Sequence, residues 1–443
     1  MRLAVWSPLP PSPSGIADYV AEALPFLARG ADIAVVVEDP EAVDPGLRRD
    51  LCVVAARAEP EADLDLYEVG NSPAHTYVYG AALRRPGVVV LHEWNLHDLV
   101  LRDALERGEP AAYPREMRRA HGEAGSFVAR QVARGLGGDL LPALFPLNDR
   151  LLEGSLGIVA PTEYIRARVA ARRAGLPVLH LPLHFSIPFE RTPSREEARR
   201  RLGLAAEDQI LTAPGFATPA KGLDLAVRVA ARLRPRYPSL RLVIAGEVDP
   251  QLPLRAWARE SGLGDALVVT GRTTLSDFVL HLVAADLVLC LRFPTRGEMS
   301  AALVRALGLG RAALVTAGTP AAEEFPAGVV VPVDPGPRAA AEMEALVGLL
   351  LEKPALRDAI GGLARAHVLR HHDPAQSAER LLSFLAQVRP GKEALQRRIL
   401  AERALEGTRL GYLLEEVRGS ARELGLAGLP LQLEPLLTPL AGS

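Results

Sequence analysis

A lone lysine in a turn of glycine and proline is the residue in this chain whose type and setting point most directly to chemistry. It closes the segment Pro214-Gly215-Phe216-Ala217-Thr218-Pro219-Ala220-Lys221-Gly222, which follows a short apolar run. Further along, another apolar run ends in Arg292-Phe293-Pro294-Thr295-Arg296-Gly297-Glu298-Met299-Ser300, whose last four residues are read as beginning a helix with its body from Ala301. Glycines let a ligand approach the backbone closely, the start of a helix offers unpaired N–H groups at its positive end, and an ammonium is a compact charge for a phosphate oxygen. Together these residue types form a site for a phosphate-bearing, nucleotide-linked ligand. In that site Lys221 and the backbone at Gly215 face the phosphates. Arg292, Arg296 and Arg305 supply further positive charge. Gly297, Met299 and Ser300 bring the ligand to the helix start, and Glu298 accepts hydrogen bonds from sugar hydroxyls.

Composition sharpens this reading. The 443 residues include only three lysines, Lys221, Lys353 and Lys392, and three asparagines, Asn71, Asn95 and Asn148. Arginine serves elsewhere, and Ala, Gly and Pro abound, as in bacterial proteins from a GC-rich genome. A lysine kept inside a Gly-Pro turn of such a chain is less readily explained as a solvated surface cation. The net charge of −2 gives no broad basic field for nucleic acid. Cys52 and Cys290 have no metal-ligand spacing and read as free thiols in a reducing compartment. No signal sequence stands at the start, and no apolar run reaches membrane-spanning length. These features predict a cytoplasmic enzyme, with peripheral contact at the inner face of the membrane left open.

The elements that must hold these residues alternate between short apolar runs and amphipathic stretches, the mark of a doubly wound parallel sheet. Strands are predicted at Leu3–Trp6, Ile33–Val37, Leu66–Val69, Gly87–Leu91 and Gly157–Ala160. The cycle restarts at Ile210–Ala213, Leu240–Ala245, Leu267–Thr270, Leu287–Leu291, Ala312–Thr316 and Val329–Val333. The length calls for two domains. The reading is α/β: two Rossmann-like domains facing a cleft, 1–188 and 189–374, a helix at 375–389 returning to the first, and a helical appendage at 390–443. Ligands of such sheets bind beyond the strand C-termini, where Gly15, Asn71, His92, Gly215, Gly246 and Glu298 all fall. Gly15, in Pro13-Ser14-Gly15-Ile16, opens a helix after the first strand but is not part of a dinucleotide fingerprint. His92 ends a strand in Leu91-His92-Glu93-Trp94-Asn95-Leu96-His97-Asp98, placed to hydrogen-bond a sugar hydroxyl. His92 and His97 lack the i, i+4 zinc spacing, and His97 reads as a helix cap. Asn71 reads equally as a cleft residue and as an N-cap.

With these residues in view, the chain resembles a GT-B glycosyltransferase and is similar to family 4 of the retaining enzymes. The opening Pro-Ser-Pro-Ser-Gly-Ile-Ala-Asp-Tyr turn, Val90-Leu91-His92-Glu93, Lys221-Gly222 and Pro294–Ser300 carry the resemblance. It covers roughly 1–388 and is most specific over 211–326. It implies a nucleotide-diphosphate sugar as donor, retention, no required metal and no separate cofactor, with Lys221 neutralising the diphosphate. It also implies that the Gly15 loop closes over the phosphates. The chain departs from the family pattern in two places. The usual pair of glutamates is not intact: Arg305 takes the place of the second, and Glu298 sits one place from the first. The loop before Lys221 lacks the arginine often found there, a charge that Arg292, Arg296 or Arg272 would supply.

The resulting expectation is a retaining glycosyltransferase with Lys221, Glu298 and His92 as catalytic residues. Its acceptor is a glycan, a lipid-linked molecule or a small molecule, and homo-oligomerisation through the C-terminal helices is left open. Two alternatives stand beside it: another GT-B activity such as an epimerase or phosphorylase, and a degenerate GT-B module that only binds a partner.

Overall fold

Residues 1–136, 138, 140–405 and 408–424 are described by a computed structural model. They form two compact units. The first comprises Met1–Ala21, Ala28–His180 and the chain from Leu381 onward, and the second comprises Glu22–Leu27 with Leu181–Arg380.

The first unit is built on seven strands: β1 (Arg2–Trp6), β2 (Asp32–Val37), β3 (Cys52–Ala55), β4 (Leu64–Val69), β5 (Gly87–Leu91), β6 (Ser155–Ala160) and β7 (Val178–His180). They pair in parallel in the order β3-β2-β1-β4-β5-β6-β7. Every residue of β4, β5 and β6 is buried, as expected for central strands with helices on both faces. The sequence pattern misses β3 and β7. Both are short edge strands with no buried residue, β3 exposed at Cys52 and partly buried beyond it, and β7 partly buried throughout. The strand order reverses between β1 and β4, and such a reversal opens a crevice at the strand C-termini. The Gly15 turn follows β1, and His92 follows β5.

The second unit repeats this plan with six parallel strands: β8 (Gln209–Pro214), β9 (Leu240–Ala245), β10 (Leu267–Val269), β11 (Leu287–Cys290), β12 (Ala312–Thr316) and β13 (Val331–Val333). Their order is β10-β9-β8-β11-β12-β13. Here the reversal lies between β8 and β11. The Lys221 turn leaves the end of β8 and the Arg292 loop leaves the end of β11, so the topology itself brings the two chemical segments together. Helix Leu223–Leu233 fixes the first segment from behind by burying Leu223, Ala226, Val227, Ala230 and Leu233 against the sheet, the i, i+3, i+4, i+7 stripe of an amphipathic helix.

The C-terminal helices belong to the first unit from Leu381 on. Helix Pro374–Val388 sets Leu382 over Gly30 and Phe384 over Gly157, so closely that a Cβ at either glycine would lie 2.7 or 2.8 Å from those side chains. In the next helix, Lys392–Leu405, Leu395 and Ile399 are buried. The Lys392 ammonium donates to the Ala62 carbonyl at 2.9 Å and lies 3.7 Å from the fully buried Asp65. Helix Arg409–Glu423 is tied back by an ion pair of 2.7 Å between Arg118 and Glu416. The appendage expected at 390–443 is therefore a packed part of this unit as far as it is described; residues 425–443 lie outside the described residues.

Candidate nucleotide-sugar site

In the second unit, the backbone between β8 and Lys221 turns where only glycine is comfortable. Gly215 has φ +79°, and Gly222 has φ +58° as the N-cap of helix Leu223–Leu233. Gly246, at the end of β9, passes so near that a Cβ on it would lie 2.6 Å from the Gly215 carbonyl oxygen. These positions bend the chain back on itself and bring the Lys221 ammonium under the strand end. There it donates to the Pro214 carbonyl at 2.5 Å. A Cβ at Gly215 would stand 3.0 Å from the same nitrogen.

The Arg292 loop is stitched to this turn. The Phe293 N–H donates to the Ala220 carbonyl at 2.7 Å, and the Arg292 N–H donates to Thr316 Oγ1 at 2.8 Å. Glu298 is held within its own loop: one carboxylate oxygen pairs with Arg292 Nε at 2.8 Å, and the other accepts from the Arg296 N–H at 2.7 Å and Thr295 Oγ1 at 3.1 Å. Gly297, with φ +82°, makes that tight turn possible. The sequence reading begins the helix at Gly297–Ser300. In the structure the helix runs from Ala301 to Gly308, and Ser300 is its N-cap, accepting from the Leu303 N–H at 3.2 Å. Glu298 and Met299 are thus loop residues before a capped helix start.

Pro214, Lys221, Cys290, Arg292, Thr295, Glu298 and Ser300 line one pocket, together with Thr319 and Ala321. Burial, with a smaller push from Arg292, lowers the Lys221 ammonium to about 7. Burial pushes the neighbouring Cys290 thiol up to about 12. The pocket therefore presents a lysine poised between its charged and neutral forms, a neutral thiol and a guanidinium. An entering diphosphate restores the lysine's charge, because an opposite charge at close range favours the ionised form. Sequence reasoning passes over Cys290, Thr295 and Thr319, whose types are common in strand ends and carry no spacing signal. Arg305, about one turn into the helix and 8% exposed, pairs with Glu22 at 2.7 Å, also in the second unit.

In the first unit, His92 is buried at the end of β5, with its N–H donating to Val69 of β4. Its Nε2 lies 2.6 Å from Glu68 Oε2, and its ring meets Tyr19 edge-on at 5.5 Å. Glu68 is a partner that sequence reading misses, because a carboxylate inside an apolar strand looks like an outward-facing position. Beside it, burial lowers His75 to about 4, so its ring is neutral. Its Nδ1 faces the Glu68 carbonyl at 2.8 Å and must carry the proton; its Nε2, 3.2 Å from Ser14 Oγ, is then the acceptor. Ser14 Oγ in turn accepts from the Ile16 N–H at 3.3 Å. This chain of contacts fixes the start of helix Gly15–Leu27, where a Cβ at Gly15 would meet nothing within 4 Å. Asn71 caps a neighbouring helix, its side-chain oxygen accepting from the Leu99 N–H at 2.9 Å. His97 is a core residue, bonded to Phe145 and Tyr113. Among the described residues no group of three His, Cys, Asp or Glu side chains could hold a metal ion, and no helix is long and apolar enough to cross a membrane.

Comparison with known proteins gives these geometries a context. Residues 194–367 match the family model of glycosyl transferases group 1. No curated protein matches the sequence. Among solved structures, the chain is similar to HepE of Anabaena in complex with UDP and glucose, at 14% identity and a TM-score of 0.61 over 87% of this chain and 100% of that one. It is also similar to sucrose-phosphate synthase from Thermosynechococcus elongatus, at 16% identity and a TM-score of 0.60 over 88% and 99% of the two chains. A third is WaaG, a glycosyltransferase involved in lipopolysaccharide biosynthesis, at 16% identity and a TM-score of 0.59 over 85% and 98%. At such identities the likeness is one of fold. The chain thus shares the two-sheet GT-B fold of these structures, and its residues 194–367 match the model of glycosyl transferases group 1.

Proposed function

We propose that the chain transfers a sugar from a nucleotide-diphosphate sugar to a glycan, lipid-linked or small-molecule acceptor, with retention and without a required metal. The observation that supports this most is the pocket at the β8–β11 reversal, where Lys221, Arg292 and a capped helix start converge. As the bond from the anomeric carbon to the diphosphate breaks, negative charge grows on the leaving oxygen. Fixed cations beside it stabilise that charge more in the transition state than in the bound donor. The diphosphate competes with Glu298 for Arg292, and the freed carboxylate oxygen then accepts a sugar hydroxyl. We assign the acceptor's attack to the same face that the leaving group departs from, with the acceptor proton passing to the leaving phosphate oxygen. In the first unit, His92, held at Nε2 by Glu68, is assigned to a hydroxyl of the donor sugar, and the backbone at Gly15 to the phosphates. HepE has been crystallised with UDP-glucose, which makes uridine diphosphate sugars the first donors to try.

A thermal-shift panel of UDP-, GDP-, ADP- and TDP-sugars, followed by assay of nucleoside-diphosphate release with candidate acceptors, tests this reading. A ligand that binds the folded state stabilises it by mass action, so one nucleotide is expected to stand out. Absence of stabilisation by every nucleotide sugar would leave the fold without the proposed activity.

A further inference from the structure

The edge of the second sheet where its strands begin holds a charge imbalance that the Lys221 pocket does not use. Asp286 stands just before β11 and is 5% exposed. Three guanidiniums converge on its carboxylate: Arg195 and Arg357 on one oxygen, the latter at 3.2 Å, and Arg199 on the other at 2.8 Å. That second oxygen also accepts from the Ile210 N–H at 2.8 Å. Arg195 and Arg199 come from helix Arg195–Arg201, and Arg357 from helix Pro354–His371. A fourth guanidinium, Arg311, points at the carbonyls of Val283 and Ala285, each at 3.5 Å. Of the other carboxylates nearby, the buried Asp208 acts on Arg199 but is itself paired with Arg241 at 2.8 Å; Asp358, 76% exposed, lies 3.8 Å from Arg357, and the exposed Glu196 is bonded to Ser194.

Three guanidiniums therefore share the buried Asp286 carboxylate, with Arg311 close enough to be repelled by Arg357 and Arg199. Burial, then mutual repulsion, holds Arg195 at about 10, and burial lowers Arg199, Arg311 and Arg357 as well. The cluster is also not closed upon itself. The Nε of Arg195 is buried with no hydrogen-bond partner. The Arg195 side chain reaches the surface, 28% exposed, above Arg199 at 5% and Arg357 at 11%. Partly buried like charges of this kind call for an anion, and planar guanidinium forks match the oxygens of a tetrahedral oxyanion.

We propose that Arg195, Arg199, Arg311 and Arg357 form a second anion site, taking a small soluble ligand of the phosphate class such as inorganic phosphate or a phosphomonoester. It lies at the opposite end of β8 and β11 from the Lys221 pocket, Asp286 being about 13 Å from Cys290 along the strand at its usual rise. The guanidiniums are sunk between two helices, which suits a free anion and disfavours a lipid headgroup fixed in a bilayer.

The test is the melting temperature of the full chain titrated with inorganic phosphate, against sodium chloride at matched ionic strength. The same titration is run on an Arg195→Gln/Arg357→Gln variant, which keeps the Lys221 pocket intact. Wild type is expected to show a saturable rise of several degrees beyond that of chloride, and the variant is expected to lose most of it relative to its own baseline. Should the double variant fail to fold, Arg195→Gln alone changes the outermost guanidinium and is expected to weaken the phosphate response at least severalfold in half-saturating concentration. A wild-type rise no larger than chloride's, or one unchanged in the variants, overturns the proposal. Co-sedimentation with phosphatidic acid vesicles separates the sources: loss of such binding in the variants, without a loss of response to free phosphate, would assign the cluster to a headgroup and overturn it too.

Discussion

Lys221 makes a quantitative prediction because its setting places its proton within an accessible pH window. In the ligand-free chain, burial and Arg292 bring the ammonium to about 7. The protonated fraction then falls from about nine tenths at pH 6 to about one tenth at pH 8, by ordinary titration. A diphosphate diester keeps constant charge across that window and binds the ammonium in preference to the amine, so binding raises the lysine's pKa. The sign follows: affinity is highest below pH 7, falls as pH rises through the free-state value, and levels off once pH passes the bound-state value. Between pH 6 and pH 8 the loss is expected to be about tenfold, or about 1.4 kcal/mol. Calorimetric titration of the most stabilising nucleotide sugar, in two buffers of different ionisation enthalpy, measures both the affinity and the protons taken up. Uptake is expected to be about half a proton at pH 7 and close to one at pH 8. The adjacent Cys290 thiol, raised to about 12, stays protonated throughout and adds nothing. Lys221→Met fills similar volume without charge and is expected to abolish both the uptake and the pH dependence. Affinity that is flat from pH 6 to pH 8 in the native chain, or uptake that persists in Lys221→Met, would refute the assignment of the diphosphate to this pocket.

Four further outcomes are expected. Lys221→Ala should fold yet turn over at least a hundredfold more slowly, a loss on the order of 3 kcal/mol; full turnover with an unchanged melting temperature would return the lysine to a structural role. Glu298→Gln should weaken discrimination between sugars of one nucleotide while leaving binding of the free nucleoside diphosphate within about threefold, as expected when one hydrogen bond to the sugar is altered; comparison of the two affinities decides it. Gly215→Ala should lower turnover and melting temperature together, because φ is +79° there and the added Cβ would sit 3.0 Å from the Lys221 nitrogen. Activity should survive EDTA, since Lys221 and Arg292 are assigned the charge a metal would otherwise carry; loss in chelator with recovery on adding Mg²⁺ or Mn²⁺ would count against that assignment.

Much of the scaffold was legible because parallel sheets buried on both faces leave unmistakable apolar runs. Eleven of the strands in β1–β13 coincide with runs that the sequence reading takes as strands, while β3 and β7 are passed over, although β3 is itself apolar over Cys52–Ala55. The pairing of the Lys221 turn with the Arg292 loop was legible for a related reason. Once alternating strands and helices are accepted, a reversal of strand order has to bring two loops together, and glycines mark which loops turn sharply. What the pattern did not carry was the state of the groups. No rule of spacing shows that Lys221 sits against a carbonyl, that Arg292 holds Glu298, or that Glu68 faces His92. These contacts depend on side-chain direction at strand ends, where period-two alternation stops.

The same limit explains the arginine cluster, and it shows why composition can mislead. In a chain that uses arginine nearly everywhere, Arg195 and Arg199 in a run such as Arg195-Glu196-Glu197-Ala198-Arg199-Arg200-Arg201 read as the charged face of a solvated helix. Arg200 and Arg201 do face solvent, but Arg199 is 4% exposed. The i, i+4 step from Arg195 to Arg199 turns both toward Asp286, a residue hidden at the start of an apolar strand and distant in sequence. Charge in such a segment acquires a function only through a long-range partner. Lysine scarcity pointed to Lys221 because the exception was a residue type; among many arginines the exception is burial, which only the fold reveals.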